Sequence, residues 1–172
     1  MTNQLIVVLG KPGAGKSFVA DTLATHFEFF LHNGDGDLPK EMEIILKKNG
    51  PITDTMRRQF LDNMIASVRQ LSKTHERLVV HQAFIKRFMQ KEFLDKFPDT
   101  LFLLVTADDS IREKRYMARD YFNLGLTYLR HMSSLFEEPE IPHATIMNNE
   151  DGSRKIIEQL KKIIRGNPFP LR

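Results

Sequence analysis

Eight consecutive residues carry the densest concentration of potential chemistry in the chain: Gly10-Lys11-Pro12-Gly13-Ala14-Gly15-Lys16-Ser17. Glycines at this spacing let the backbone turn tightly and aim successive N–H groups into one hollow, a nest for an anion. The stretch follows the apolar run Leu5-Ile6-Val7-Val8-Leu9 and precedes helical spacing from Phe18 onward. A helix starting there adds uncompensated N–H groups and the positive end of its dipole to the same hollow. Strand, glycine turn and helix in this order form the phosphate-binding P-loop, the Walker A pattern. The reading assigns Gly10, Lys11, Pro12, Gly13, Ala14, Gly15, Lys16, Ser17 and Phe18 to nucleotide binding. Lys16 would reach the terminal phosphates and the Ser17 hydroxyl would hold Mg²⁺. The chain is therefore expected to bind a nucleoside triphosphate.

Three further groups of residues could act on what that hollow holds. Asn33, Asp35 and Asp37 follow the short run Phe29-Phe30-Leu31-His32. A carboxylate there could accept the proton of an attacking hydroxyl or hold Mg²⁺ through water. Asn-Gly and Asp-Gly are also ordinary turn formers, and Asp37 suits an N-cap for a helix beginning at Pro39, so Asp35 is the favoured candidate. Arg57 and Arg58 open a later helix, where a guanidinium fork could grip a carboxylate or phosphate. The alternative is a solvated surface. Arginine near a helix N-terminus gains nothing from the dipole, which tilts Arg57 toward a substrate contact.

Arg112, Lys114, Arg115 and Arg119 make the densest basic cluster. Arg112, Arg115 and Arg119 share one helix face by i+3 and i+4 spacing, so they can converge on one ligand, although a solvated helix face has the same spacing. On a mobile segment such arginines close over phosphates and neutralise developing charge, with Arg115 and Arg119 the strongest pair. His81, Gln82 and Lys86 follow the run Leu78-Val79-Val80 and should face the same cleft, His81 lining the substrate side. The six histidines show no His-x-His or His-x₃-His pair, which argues against a histidine metal site. There is no cysteine, so disulfides, zinc thiolates and thiol nucleophiles are excluded.

The elements that must position these residues are readable from apolar spacing. Phe18, Val19, Leu23 and Phe27 predict a helix to about His26. Pro39 opens a helix through Met42, Ile45 and Leu46 that the Asn49-Gly50-Pro51 break ends. Thr53 or Asp54 caps the next, whose stripe is Phe60, Leu61, Met64, Ile65, Val68 and Leu71. Leu78 to Val80 predicts a third strand, Ile85 to Phe97 a helix closed by Pro98, and Leu101 to Val105 a fourth strand. Asp108 caps a helix containing Ile111 and Met117. Residues 119–138 read as helical but less regular, and Ala144 to Met147 as a fifth strand. The last helix, capped at Asp151 or Ser153, buries Ile156, Ile157, Leu160, Ile163 and Ile164 before a Gly166-Asn167-Pro168 stop. Met56, Met64, Met117 and the thirteen phenylalanines read as core. Apolar strands alternating with helices predict an α/β fold, a five-stranded parallel sheet buried on both faces in a three-layer P-loop architecture. Ligands in such sheets bind beyond the carboxyl ends of the strands.

A length of 172 residues fits one domain, 1–172, with no repeat or linker. Hydrophobic residues at 41% and charged residues at 27% are ordinary globular values. The net charge of +3 is spread among 22 acidic residues without a basic block, which favours an anionic small molecule over nucleic acid as partner. The start, Met-Thr-Asn-Gln and then five apolar residues, is too short for a signal sequence or membrane span, so the expectation is a cytoplasmic protein without membrane contact.

These motifs together resemble the small P-loop carbohydrate kinases, especially the gluconokinase family and more distantly shikimate kinase, over nearly the whole chain. Lys16 to Asp35 has the spacing of P-loop lysine to second aspartate in both families. Asn33-Gly34-Asp35 followed by Pro39 is similar to the gluconokinase pattern Asp-Gly-Asp-x-x-His-Pro. Gly50-Pro51-Ile52-Thr53-Asp54-Thr55-Met56-Arg57 is similar to its Gly-x-Pro-Leu-x-Asp-x-Asp-Arg. Arg115 and Arg119 with Phe122, followed by Glu138-Pro139, resemble its arginine-rich lid and the Glu-Pro beyond.

The resemblance implies a nucleoside-monophosphate-kinase or shikimate-kinase type of fold and transfer of the γ-phosphoryl group of ATP, with Mg²⁺, to a hydroxyl of a small anionic metabolite. Lys16, Asp35, Arg115 and Arg119 would be catalytic, and Asp35 would share Mg²⁺ with Ser17. Asp35, Arg57 and His81 would contact the acceptor. A helical region of about 37–73 would bind that acceptor, and a lid of about 112–138 would cover ATP. Adenine would lie near Asn148-Asn149, and the protein would be a monomer or homodimer. Departures are Asn33 for the first aspartate, Leu38 for histidine, and Asp120-Tyr121-Phe122-Asn123 and His131-Met132-Ser133 in the lid. Shikimate kinase's Gly-Gly-Gly is His81-Gln82-Ala83 here. A nucleoside or nucleotide kinase, or a nucleotide-binding module without transferase activity, are the alternative readings.

Overall fold

The computed structural model describes residues 4–120 and 123–166. Five strands, β1 (Gln4–Leu9), β2 (Phe30–Asn33), β3 (Arg77–His81), β4 (Leu101–Thr106) and β5 (Ala144–Met147), form one sheet of order β2-β3-β1-β4-β5. Every pairing is parallel. The helices are α1 (Lys16–Phe27), α2 (Lys40–Lys47), α3 (Asp54–Leu71), α4 (Arg87–Lys96), α5 (Asp109–Met117), α6 (Gly125–Leu135) and α7 (Arg154–Gly166). A 3₁₀ turn occupies Gly34–Asp37.

Successive side chains of a strand point to opposite faces, and β1 divides the core accordingly. Leu5, Val7 and Leu9 join Phe60, Leu61 and Met64 of α3 and Phe93 of α4 in one buried cluster. Ile6 and Val8 face the other way, onto Val19 and Leu23 of α1 and Ile156, Leu160 and Ile164 of α7. Such two-sided burial is why the central strands are unbroken apolar runs. Because β1 lies mid-sheet, its carboxyl end, where the P-loop begins, has β3 on one side and β4 on the other.

Several sequence expectations are corrected. The edge strands are not buried on both faces: Phe30 is 40% and Met147 60% exposed, because β2 and β5 each have one neighbour. Met117 and Phe18 are also exposed rather than core; Met117 ends α5 and Phe18 stands on the first turn of α1, beside the P-loop. Among the described residues of the stretch 119–138, Gly125–Leu135 form the helix α6. Asp37 does not cap α2: Pro39 holds the cap position, and the Asp37 carboxylate instead meets His32 Nε2 at 2.7 Å and Ser67 Oγ at 2.5 Å. Thr53 does cap α3, accepting from Met56 N at 3.2 Å. Phe122 and the Asn167-Pro168 stop lie outside the described residues.

Candidate active site

The P-loop spans from Leu9 at the end of β1 to Lys16 at the start of α1, wedged between neighbours that leave no room for a Cβ at its glycines. Gly13 has φ +80°, and a Cβ there would sit 2.5 Å from the Arg112 carbonyl oxygen. Gly15 has φ +95°, and its Cβ would collide with the Asn148 amide. Both positions therefore require glycine, for backbone conformation and for space. Gly15 offers α1 no side-chain cap, and the first intrahelical bond runs from Val19 N to Gly15 O at 3.1 Å. The preceding N–H groups at this helix end are available to an anion. The hollow thus fits a polyphosphate.

Lys16 Nζ bends back to donate to the Lys11 carbonyl at 3.2 Å. Burial, and then the nearby Arg119 charge, lower the Lys16 ammonium from its ordinary 10.5 to about 8, with Asp35 pulling the other way. Asp35 is solvent-accessible yet recessed in the cleft. Desolvation raises its carboxyl, opposed by Lys16 and Arg119. These mutual effects place Lys16, Asp35 and Arg119 within electrostatic reach of one another. Asp35 Oδ1 accepts from Gln82 Nε2 at 2.6 Å, and Asn33 Oδ1 braces the same turn by accepting from Asp35 N at 3.0 Å. Asn33 thus spends its side chain on loop geometry. His81, at the carboxyl end of β3, is lowered to about 4 by burial and then by the Lys16 charge, so its ring is neutral near pH 7.

The basic cluster does not act as one unit, and Arg119 does not share the helix face expected of it, because α5 ends at Met117. Arg112 is buried and knots α5 and α6 to the P-loop: its guanidinium donates to Pro12 O at 2.9 Å, Ser133 Oγ at 2.9 Å and Asp109 Oδ1 at 2.7 Å. Arg115 reaches the other way, to Asn148 O at 2.6 Å and Glu150 O at 3.5 Å. Arg119 stacks over the Tyr116 ring at 5.0 Å and faces Lys16 and Asp35. Asn148 joins the three parts, donating Nδ2 to Ala14 O at 2.9 Å and its backbone N–H to Thr106 O at 2.8 Å.

On the other side of the cleft lies a cavity of about 630 Å³ between the α2–α3 turn and α6. Its walls include Asp54, Arg57, Lys86, Tyr128 and His131. Arg57 is buried, its Nη1 donating to Ile52 O at 2.8 Å and Asp54 Oδ1 at 3.0 Å, so the solvated-surface alternative does not hold. Arg58 is the surface member of the pair, ion-paired with Glu92. Lys86 is held by Glu137 at 3.0 Å. Sequence spacing offered no signal for Tyr128 and His131. Arg112 shares the spacing of Arg115 and Arg119, yet the partners of its guanidinium are Pro12, Ser133 and Asp109.

Among the described residues no three acidic or imidazole side chains gather as a metal site. A Mg²⁺ ion here could rest on the Ser17 hydroxyl, on phosphate oxygens and on water, the usual mode for this small cation. Among the described residues no helix is long and apolar enough to cross a membrane.

A family model described as AAA domain matches residues 6–125. Among solved structures, a gluconokinase from Sinorhizobium meliloti superposes with a TM-score of 0.79 at 22% identity, covering 95% of this chain and 93% of that one. A sugar kinase from a Janibacter species gives 0.81 at 17% identity, with 96% of each chain covered. A shikimate kinase from Acinetobacter baumannii, in complex with shikimate, gives 0.66 at 19% identity over 98% of this chain and 96% of that one. At these identities the likeness shows the fold. No curated protein matches the sequence.

Proposed function

The chain belongs to the AAA domain family and has a P-loop kinase fold, and from that premise we propose that it is an ATP-dependent phosphotransferase. Its acceptor is a hydroxyl of a small anionic metabolite, of sugar-acid or shikimate type. One observation carries the reading. Lys16, Asp35 and Arg119 lie within electrostatic reach of one another beside the P-loop hollow, and Asp35 is also within reach of Tyr128, which lines a cavity sized for a small molecule.

The P-loop N–H groups and Lys16 bind the ATP phosphates, and Arg119 adds positive charge where the γ-phosphoryl group passes. Bound Mg²⁺ would supply charge neutralisation between phosphate oxygens, held on the protein side by Ser17 with Asp35 facing it through water. Asp35, oriented by Gln82, takes the proton of the acceptor hydroxyl as the new O–P bond forms. The β–γ bridging bond breaks, and its electron pair leaves with ADP. A carboxyl already raised by desolvation is a better proton acceptor than an exposed one. Arg57 and Lys86 offer positive charge to an acid group of the acceptor, and His81 contributes a neutral wall. Arg115 braces the nucleotide side through the β5 loop. Residues of about 37–73 hold the acceptor, and those of about 112–138 close over ATP.

The test is acceptor-dependent ADP release with gluconate, shikimate and nucleosides as the panel. Asp35→Asn should lower kcat by about two to four orders of magnitude while ATP still binds. Tight ATP binding with no acceptor-dependent turnover in the unaltered protein would sink the kinase reading.

A further inference from the structure

The α6 wall of the cavity has a regular construction. Leu124, Thr127, Tyr128, His131, Met132 and Leu135 line it, at i, i+3, i+4, i+7, i+8 and i+11, which is a single helix face. Tyr128 and His131 place polar tips on that face among aliphatic neighbours. The face is held in place by α5. Tyr116 Oη accepts from Leu124 N at 3.3 Å, Arg112 donates to Ser133 Oγ, and Arg130 pairs with Glu113 at 2.8 Å. Asn123 Oδ1 fixes the first turn by accepting from Gly125 N at 3.1 Å.

Tyr128 is half-buried and lies within electrostatic reach of Asp35. Burial, then the Tyr116 and Asp35 groups, push its hydroxyl up to about 12, so it is protonated and can donate at any working pH. Asp35, nearby, is an acceptor whenever ionised. The cavity wall therefore offers a hydrogen-bond donor among apolar side chains, and Asp35, within electrostatic reach of that donor, offers an acceptor to a different oxygen.

We infer that Tyr128 is an acceptor-binding residue, donating its hydroxyl proton in a hydrogen bond to a second oxygen of the substrate while Asp35 takes the reacting hydroxyl. The occupant is thus a polyhydroxylated molecule, and Tyr128 is a determinant of which hydroxyl pattern is accepted. The inference rests on the kinase reading. A site built to hydrogen-bond a hydroxyl discriminates strongly against the analogue lacking it, because its own polar group is left unpaired.

The experiment compares the unaltered enzyme with Tyr128→Phe and Tyr128→Leu, using gluconate, shikimate and monodeoxy counterparts of whichever acceptor turns over. Tyr128→Phe should raise the acceptor KM by roughly tenfold, the size of one lost hydrogen bond, with the ATP KM unchanged. One monodeoxy counterpart should show the same loss with the unaltered enzyme and no further loss with Tyr128→Phe. Tyr128→Leu should match Tyr128→Phe or be worse. Equal losses on the parent acceptor and every deoxy counterpart, a loss in ATP binding, or no loss at all would overturn the inference and leave the kinase reading standing. No acceptor-dependent ADP release by the unaltered protein would overturn both.

Discussion

On the P-loop side of the cleft the protein is fastened largely through main-chain atoms, whereas on the proposed acceptor side it is fastened by side chain on side chain. Arg112 grips Pro12 O, Arg115 grips Asn148 O, and Asn148 grips Ala14 O. The acceptor side depends on Arg57 with Asp54, Lys86 with Glu137, Gln82 with Asp35, and Asp37 with His32 and Ser67. Main-chain geometry at the P-loop admits glycine where a Cβ would collide, so its composition is nearly dictated. A wall of paired side chains can be rewritten by substitution while the strands and helices stay in place. The first arrangement suits a ligand group that never changes, and the second suits an acceptor that differs between enzymes of one fold.

That contrast breaks most sharply at a P-loop glycine. Gly13→Ala must find room for a Cβ 2.5 Å from the Arg112 carbonyl oxygen and hold φ +80°. It should cost on the order of 3 kcal/mol or more and abolish ATP binding, measured by urea unfolding and by titration with ATP. Gly36→Ala, where nothing lies within 4 Å of the new Cβ, should stay within about 0.5 kcal/mol of the parent. Equal effects at the two positions would remove the distinction.

Next in size is Lys16→Met. The folded Lys16 value of about 8 lies below the ordinary 10.5, so between them the unfolded chain holds a proton that the native state does not. Stability from this group therefore rises as pH goes from about 8 to 10.5, and at neutral pH the buried cation destabilises the ligand-free protein. Lys16→Met should raise the Tm of the ligand-free protein by several degrees at pH 7 while losing ATP binding. An unchanged or lowered Tm would contradict the desolvation argument.

What was legible in the sequence follows the same division. The P-loop and the central strands were readable because they are local: glycine spacing, apolar runs and caps lie within a few residues of one another. Asp35 was reachable through its distance from Lys16 along the chain. Its partner Gln82 is 47 positions away, and Arg112 is 100 positions from Pro12; no local pattern announces such pairings. Arg112, Arg115 and Arg119 share helical spacing, yet one anchors the loop, one leans on the β5 turn and one faces the cleft. Spacing sets where on a helix a side chain starts and leaves its partner open. Exposed Phe18 and Met117 escaped for a related reason, since apolar periodicity does not reveal where the covering layer ends.

A more modest effect is expected at the anchor behind Asp35. The carboxylate of Asp37 is nearly enclosed, and its backbone carbonyl also accepts from Asn63 Nδ2 at 3.0 Å, tying the 3₁₀ turn to α3. Asp37→Asn should cost about 1–2 kcal/mol and lower kcat more than it alters the ATP KM, because Asp35 loses its fixed aim. Ser67→Ala should do the same at about half the size. A pure stability loss with kcat intact would mean that the turn holds Asp35 without this anchor.

The smallest effect concerns acid. His81 titrates near 4 in the folded protein and near 6.5 when unfolded, so the unfolded state binds the extra proton between those values. Its contribution to stability is therefore complete above about 6.5 and is lost as pH falls toward 4, with a slope of at most about 1.4 kcal/mol per pH unit. Asp35 works against it, because a raised carboxyl pKa leaves the native state holding more protons than the unfolded chain just above 3.8, and that favours the folded form as pH falls. Within the cleft the two groups therefore oppose one another as pH falls. His81→Gln should flatten the loss of stability on acidification, while Asp35→Asn should steepen it, both read from urea midpoints at pH 4 to 7. Opposite responses at two residues of one cleft would locate the acid sensitivity at the Lys16 site, and parallel responses would place it elsewhere in the fold.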